Sequence, residues 1–217
     1  MNRGVGDEQY FRTWYESRDW RFYRMFLADF MQHAEPGPIL DVGAGLGYLV
    51  EASQRWGLAC QGLEGSAEAV KIARARFPQI NLREHRLSEP FPFENESFGV
   101  AFFNQVIEHL EAEVGERALR EINRVLRPGG MLLLFSPSRF NEKERVEDPT
   151  HIHMYAPTEL KSLVEKVGFV RVTAHDEPLS LLGTSPLGRR IMNRFFRSFP
   201  LDRLSASANV RAFKAST

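Results

Sequence analysis

The stretch Asp41–Leu49, DVGAGLGYL, sets three glycines at alternate positions, with an acid ahead of them and a helical pattern behind. Glycine at such places lets the main chain take positive φ and come close to a ligand that a Cβ would hold off. The stretch is entered from the short apolar run Ile39–Val42 and leaves into a helix expected over about Tyr48–Trp56, stopped by Gly57. A strand, a bare turn and a helix N-terminus in that order present backbone N–H groups to a ligand carrying negative charge. A Gly-rich turn alone is a weak signal, so the surrounding chain has to decide what it holds.

Working outward, short apolar runs alternate with helical patterns. Strands are expected at Leu58–Leu63, near Ile80–His85, at Phe98–Asn104 (FGVAFFN) and at Met131–Phe135 (MLLLF). Between them fall a helix over Ala67–Phe77, with Ser66 placed to cap it, and a helix over Gly115–Leu126 carrying Leu119, Ile122 and Leu126. Strands that are apolar on both faces and alternate with helices imply an α/β fold, a parallel sheet between two helical layers. After the fifth strand, SPSRFNEKERVEDPTHIHMY (136–155) is too long for a tight connection and reads as a functional loop, a lid near 137–156. Helix Pro157–Val167 follows, stopped by Gly168, then strand FVRVTAH (169–175), a basic helical insertion near 183–203 and a last short strand, NVRAFK (209–214).

Ahead of all this, Phe22, Tyr23, Phe26, Leu27, Phe30 and Met31 form one helical stripe that Pro36-Gly37-Pro38 ends. Residues 1–36 therefore read as an N-terminal helical cap, and 37–217 as one domain. Tyr10, Phe11, Trp14 and Tyr15 of the cap suit either a cover over the site or an amphipathic packing helix.

Hydrophobic content of 43% with 26% charged residues is that of an ordinary soluble protein. No apolar run approaches the roughly 20 residues of a membrane helix, and the start MNRGVGDE lacks a signal-peptide core, so a cytoplasmic location is expected. A single cysteine, Cys60, excludes an internal disulfide and argues against a cysteine-built metal site. Net charge is zero, but residues 183–217 hold seven basic residues and one acid, a net +6 that leaves −6 on the rest. Such asymmetry tilts the expected partner toward an anionic or lipid-linked molecule.

In an open parallel sheet, ligands sit beyond the C-terminal strand ends, where strand order reverses. Glu64 ends the second strand, where a carboxylate can accept hydrogen bonds from both hydroxyls of a ribose. That much suits any adenosine-containing cofactor. The dinucleotide fingerprint G-x-G-x-x-G needs glycine at 48 after Gly43 and Gly45, and the chain has Gly47 and then Tyr48, so the NAD-dependent oxidoreductase reading loses ground.

DVGAGLG instead resembles the acid-x-G-x-G-x-G first motif of the class I S-adenosylmethionine-dependent methyltransferases. Over roughly residues 37–175, GLEGS is similar to that family's ribose-binding segment, FPFENESFGVAFFNQVIEHL to its fourth-strand region, ALREINRVLRPGGMLLLFSPS to the helix and fifth strand, and HIHMYAPTELKSLVEKVGF to the lid and following helix. The resemblance implies a Rossmann-like doubly wound seven-stranded sheet, mostly parallel with an antiparallel last strand and helices on both faces. It implies cofactor contacts from Asp41, Gly43, Ala44, Gly45, Gly47, Glu64 and Gly65, with the main-chain amides of 43–47 against the ligand. Further contacts are implied at the ends of strands three and four, from Arg86, Leu87, Asn104 and Gln105. Two positions depart from the family: Arg86 and Leu87 stand where an Asp commonly meets the adenine, and Gly99 replaces the usual Asp after Phe98.

Methyl transfer from such a cofactor asks mainly for in-line positioning, plus deprotonation when the nucleophile is a hydroxyl. Histidine titrates near neutrality and suits that second task, so His109, His151 and His153, with Tyr155, are the catalytic candidates. The run His151-Ile152-His153-Met154-Tyr155 also fits an extended segment that packs Ile152 and Met154 inward. NQVIEHL is similar to the Glu-x-x-Glu-His arrangement of ubiquinone-pathway O-methyltransferases, whose carboxylates and imidazole can hold a divalent ion. Gln105 replaces the first Glu and a neutral amide is a poor ligand for a hard cation, so no bound metal is expected. The expected activity is transfer from S-adenosylmethionine, with S-adenosylhomocysteine as product, to oxygen or nitrogen of a small-molecule acceptor, with no nucleic acid expected. The alternatives are a nucleic-acid or protein methyltransferase and a cofactor-binding protein without catalysis.

Overall fold

The computed structural model describes residues 37–175 and 206–216. The expected N-terminal cap and the basic insertion lie outside the described residues. β1 (Ile39–Val42), α1 (Tyr48–Arg55), β2 (Cys60–Glu64), α2 (Ala67–Arg76) and β3 (Leu82–Glu84) come first. β4 (Phe98–Asn104), a single 3₁₀ turn (Ile107–His109), α3 (Ala112–Val125) and β5 (Leu126–Phe135) follow. Then come α4 (Glu142–Glu147), α5 (Pro157–Lys166), β6 (Phe169–His175) and β7 (Asn209–Lys214). All strands among the described residues join one seven-stranded sheet in the order β3-β2-β1-β4-β5-β7-β6. β3, β2, β1, β4 and β5 are parallel neighbours, and β7 runs antiparallel to both β5 and β6. This is the Rossmann-like sheet with an antiparallel last strand that the resemblance implied.

Strand alternation divides the core between two faces. Leu40 and Val42 of β1, Ala101 and Phe103 of β4, and Leu132 and Leu134 of β5 pack against Leu119 and Ile122 of α3 and Leu160 and Val164 of α5. Ile39, Val100, Phe102, Met131 and Leu133 face the other way, onto Leu49 and Val50 of α1 and Ala69, Val70 and Ala73 of α2. Both faces are covered, which is why these strands read as unbroken apolar runs. Each large side chain so buried stabilises the fold by about 1.5–3 kcal/mol before entropy is counted. Cys60, buried in β2, serves here as a small hydrophobe.

Some boundaries differ from expectation for identifiable reasons. α3 starts at Ala112, ahead of the expected Gly115, because the helix passes so near the 3₁₀ turn that a Cβ on Gly115 would lie 3.2 Å from Ile107 Cγ1. The glycine marks a close approach within the helix. β5 runs back to Leu126, since Phe98 pairs with Leu126 before the register shifts and resumes at Val100 and Met131. α2 keeps its expected cap, with Ser66 Oγ accepting the Ala69 N–H at 3.2 Å. Within the lid, Asn141 caps the short α4 by accepting the Glu144 N–H.

Strand order reverses between β1 and β4. The glycine turn leaves one side of that gap and Asn104-Gln105 the other, so the chain ends that matter face each other across a crevice. No helix among the described residues is long and apolar enough to cross a membrane.

Candidate functional site

Gly43, Gly45 and Gly47 have φ of 74°, 53° and 74°, all in the left-handed region. Space is as restrictive as torsion: a Cβ on Gly43 would lie 2.3 Å from Val106 Cγ2, and one on Gly47 2.2 Å from Ile80 Cδ1. Hydrogen bonding inside the turn is extensive. Gly43 and Ala44 donate to the Leu63 carbonyl (2.8 and 2.9 Å), Gly47 donates to the Ala44 carbonyl (2.8 Å), and Gly45 donates to Glu64 Oε2 (2.8 Å). Four of the five amides of 43–47, which the sequence sets against the ligand, thus also hold the turn in shape. The first-turn N–H groups of α1 lack intrahelical acceptors.

Glu64 ties the two halves of this region together. Its Oε1 accepts the Ser66 N–H at 2.7 Å while Oε2 holds Gly45, so one carboxylate fixes both the turn and the entry to α2. Burial pushes its pKa up, against the pull of the Ser66, Gly45 and Gly65 amides. Each carboxylate oxygen has a second lone pair, so capacity for a ligand hydroxyl remains. Asp41 is 4% exposed, and burial, followed by the Glu64 charge, pushes its pKa up to about 8.

The Asp41 shift has a sign that can be measured. With a folded pKa of about 8 against 3.8 ordinarily, the folded chain holds a proton that the unfolded chain gives up between those values. Its contribution is fully present below the lower value and is lost as pH rises toward the upper one, by at most about 1.4 kcal/mol per pH unit. Asp41→Asn is expected to flatten the fall of the ligand-free melting temperature between pH 5 and pH 8. Parallel melting curves for the two proteins across that range would show that Asp41 is ionised in the folded chain.

At the far ends of β3 and β4, Arg86 is exposed, while Leu87 packs into the core beside Phe91 and Phe103 and offers no polar group. Gly65 has open space on its side-chain face, the nearest atom to a Cβ being the His85 carbonyl oxygen at 3.8 Å. Asn104 is half-buried. Gln105 has φ of 55°, held there by its N–H donating to the Phe135 carbonyl at 2.8 Å. A non-glycine residue so placed stores about 1–3 kcal/mol of strain, and such strain gathers at functional sites.

Of the four catalytic candidates, the fold brings two together. The rings of His109 and His151 have centroids 4.8 Å apart. The lid reaches them because the Glu108 carbonyl accepts the N–H groups of Ile152 (2.9 Å) and His153 (3.0 Å). His109 Nδ1 lies 3.1 Å from the Thr150 carbonyl oxygen, which can only accept, so Nδ1 is assigned the proton and Nε2 the lone pair. Burial lowers the His109 pKa, against the Thr150 carbonyl and Asp148. His151 Nε2 lies 3.6 Å from Asp148 Oδ2, with its side chain 4% exposed, and burial, then His109, lowers its pKa against Asp148. Both imidazoles are thus neutral at pH 7. Beside them the fully buried Glu108 carboxyl is pushed up to about 8, by burial above all.

His153 stays exposed, its ring 4.5 Å from that of Tyr155. Tyr155 lies in the core, its hydroxyl without a hydrogen bond and its pKa pushed up to about 12 by burial, then by Glu113, Glu116 and Glu159. Such a phenol is no base at neutral pH. Ile152 is 55% exposed, so of the two readings of this segment the one that packs Ile152 inward does not hold; with the lid docked on the Glu108 carbonyl, Tyr155 is the residue turned inward. Sequence reading missed Asp148, Thr150 and Val106. The first two form a turn of their own, Thr150 N–H to Asp148 Oδ1 at 2.9 Å, for which Asp-Pro-Thr is an available signal.

Residues 40–134 match a protein family described as a methyltransferase domain. A relative from Mycolicibacterium smegmatis, named a probable S-adenosylmethionine-dependent methyltransferase, is 32% identical over 134 residues, 60% of this chain and 51% of its own length. A probable tRNA methyltransferase 9B from Bos taurus is 32% identical over 123 residues, 55% of this chain and 25% of that protein. The crystal structure of an S-adenosylmethionine-dependent methyltransferase from Archaeoglobus fulgidus superposes with a TM-score of 0.72 at 17% identity, covering 96% of this chain and 100% of that one. The chain spans about half the length of the Mycolicibacterium relative. Sequence kinship across the glycine turn and β4, and a shared sheet over nearly the whole chain, converge: residues 40–134 match a methyltransferase domain and the fold is that of an S-adenosylmethionine-dependent methyltransferase, which together support a class I enzyme of that kind.

Proposed function

We propose that the chain binds S-adenosylmethionine between β1 and β4 and transfers its methyl group to oxygen or nitrogen of a small-molecule acceptor. The carrying observation is Glu64, a half-buried carboxylate locked by Gly45 and Ser66 beside a left-handed glycine turn at the strand-order switch. When bound, the cofactor supplies a methyl group already activated on a sulfonium. Asp41, buried, and Glu64, half-buried, add carboxyls beside the turn, suited to a ligand with hydroxyls and positive charge. His109 and His151, under the docked lid, supply neutral imidazole nitrogens for the acceptor's proton. Seven basic residues in 183–217 favour an anionic or lipid-linked acceptor, and a cytoplasmic site of action fits the composition.

An RNA acceptor is the second reading, supported by the Bos taurus relative's name and weakened by a net charge of zero. Transfer of labelled methyl from the cofactor to small-molecule, RNA and protein pools separates the readings. The expected result is label in the small-molecule pool. His109→Asn is expected to lower turnover by about 100-fold or more while S-adenosylhomocysteine affinity holds. Label in RNA alone would replace the acceptor assignment, and tight cofactor binding with no transfer to any pool would favour a binding protein without catalysis.

A further inference from the structure

α4 presents a problem that methyl transfer does not touch. It runs only from Glu142 to Glu147, and none of its residues is buried. Helices shorter than about 12–15 residues are marginal in water unless packing holds them. Asn141 caps this one, but the ion pairs within it, Lys143 with Glu147 and Arg145 with Glu142, stand at 4.0 Å between exposed side chains and contribute little. Val146, in the middle of the helix, is 75% exposed, more than any other large hydrophobic residue among the described ones.

Segment 176–205, between β6 and β7, lies outside the described residues, but the residues on either side of it are fixed. It leaves from His175 and returns at Ala206, and His175 pairs with Asn209 in the sheet, so the segment departs and comes back at one place. That place is the root of the lid. The Ala206 carbonyl accepts both the Ser138 N–H (3.0 Å) and Asn141 Nδ2 (3.1 Å), and Asn141 is the residue that caps α4. Pro137 and Ser207 pair beside it. The segment therefore ends against the N-terminus of α4.

Composition supplies the match. Residues 189–203 hold Arg189, Arg190, Arg194, Arg197 and Arg203 against one acid, Asp202, while Ile191, Met192, Phe195 and Phe196 recur at helical spacing. α4 has the opposite balance, with Glu142, Glu144 and Glu147 against Lys143 and Arg145. We propose that segment 189–203 docks on the outer face of the lid, its apolar stripe over Val146 and its arginines toward the acids of α4. Apolar contact then supplies the burial that α4 lacks, and the charges fix orientation more than they add strength. The arginines counted above toward an anionic acceptor are in that case held beside the lid. The docking itself rests on no part of the methyl-transfer reading.

The test is disulfide trapping in the full chain, with Val146→Cys combined in turn with Ile191→Cys, Met192→Cys, Phe195→Cys or Phe196→Cys. Cys60, buried in β2, stays in place. Each protein is oxidised at low concentration with copper–phenanthroline and read by non-reducing electrophoresis and by mass spectrometry of the linked peptides. Two cysteines close only when their Cα atoms come within about 7 Å, so at least one of the four pairs is expected to link within the chain in most molecules. Glu68→Cys, exposed on α2, replaces Val146→Cys as the control and is expected to link to none of the four. Melting temperatures guard against misfolding, and Val146, so exposed, is a safe position to replace. No link at any pair, equal yield with the Glu68 control, or a link between two chains in place of one within the chain overturns the docking. A link from Val146→Cys to Phe26→Cys or Phe30→Cys, with the four pairs left reduced, overturns it in favour of the N-terminal stripe. Because the readout is a bond within the chain, failure to transfer a methyl group would sink the proposed activity without touching this inference.

Discussion

Replacing Glu64 with alanine is expected to weaken S-adenosylhomocysteine binding by at least about 100-fold, read by titration calorimetry, which corresponds to about 2.7 kcal/mol. Two losses combine. The first is the direct contact, since a charge-assisted hydrogen bond to a ligand hydroxyl contributes about 1.5–3 kcal/mol. The second is indirect: the Gly45 and Ser66 N–H groups, now bonded to Oε2 and Oε1 at 2.8 and 2.7 Å, lose their acceptor in a largely buried place, at about 1–3 kcal/mol each. Part of that second loss appears as lower stability and part as a turn that no longer fits the ligand.

Glu64→Gln sharpens the test. Both carboxylate oxygens face N–H donors, so an amide side chain must set its NH₂ against one of them, donor to donor. The glutamine variant is therefore expected to lose nearly as much affinity as alanine, which is unusual for so small a change. Equal affinity in wild type and Glu64→Ala would show that this carboxylate does not hold the ligand, and the crevice between β1 and β4 would lose its assignment.

How much of this was open to reading depends on the range of each interaction. β1, β4, β6 and β7 begin and end where their apolar or alternating runs do, because covering both faces of a sheet, or one, writes itself into consecutive residues. The glycine turn and Glu64 were legible for a similar reason: a left-handed turn demands glycine wherever it occurs. Relations between distant residues leave no such mark. His109 and Thr150 stand 41 positions apart, and nothing in either segment announces the other. Gln105 carries no hint of its φ of 55°, since the strain is imposed by the Phe135 carbonyl. The lid's phase stays open in the sequence because alternation fixes which residues share a face but not which face is buried; the Glu108 carbonyl, far from it in sequence, decides that.

Gly43→Ala is the second large effect, and it tests how rigidly the turn is built against the opposite wall. An alanine there has φ of 74° to sustain, at about 1–2 kcal/mol, and its Cβ would lie 2.3 and 2.8 Å from the two γ carbons of Val106. Overpacking of that kind adds about 1–3 kcal/mol. At about 2–4 °C per kcal/mol for a chain of this size, the melting temperature is expected to fall by on the order of 10 °C. Val106→Ala in the same chain removes both clashing γ carbons, leaves its Cβ 3.1 Å away and leaves the torsion, so the double variant is expected to regain most of the steric share and keep a deficit of about 1–2 kcal/mol. Val106 follows the strained Gln105 and precedes the turn that carries Glu108 and His109, so the displaced valine presses on the crevice itself. S-adenosylhomocysteine affinity is accordingly expected to fall in Gly43→Ala and to recover with Val106→Ala in step with the melting temperature. Additive effects of the two substitutions would mean that Gly43 and Val106 do not meet, and the close facing of the two crevice walls would be wrong.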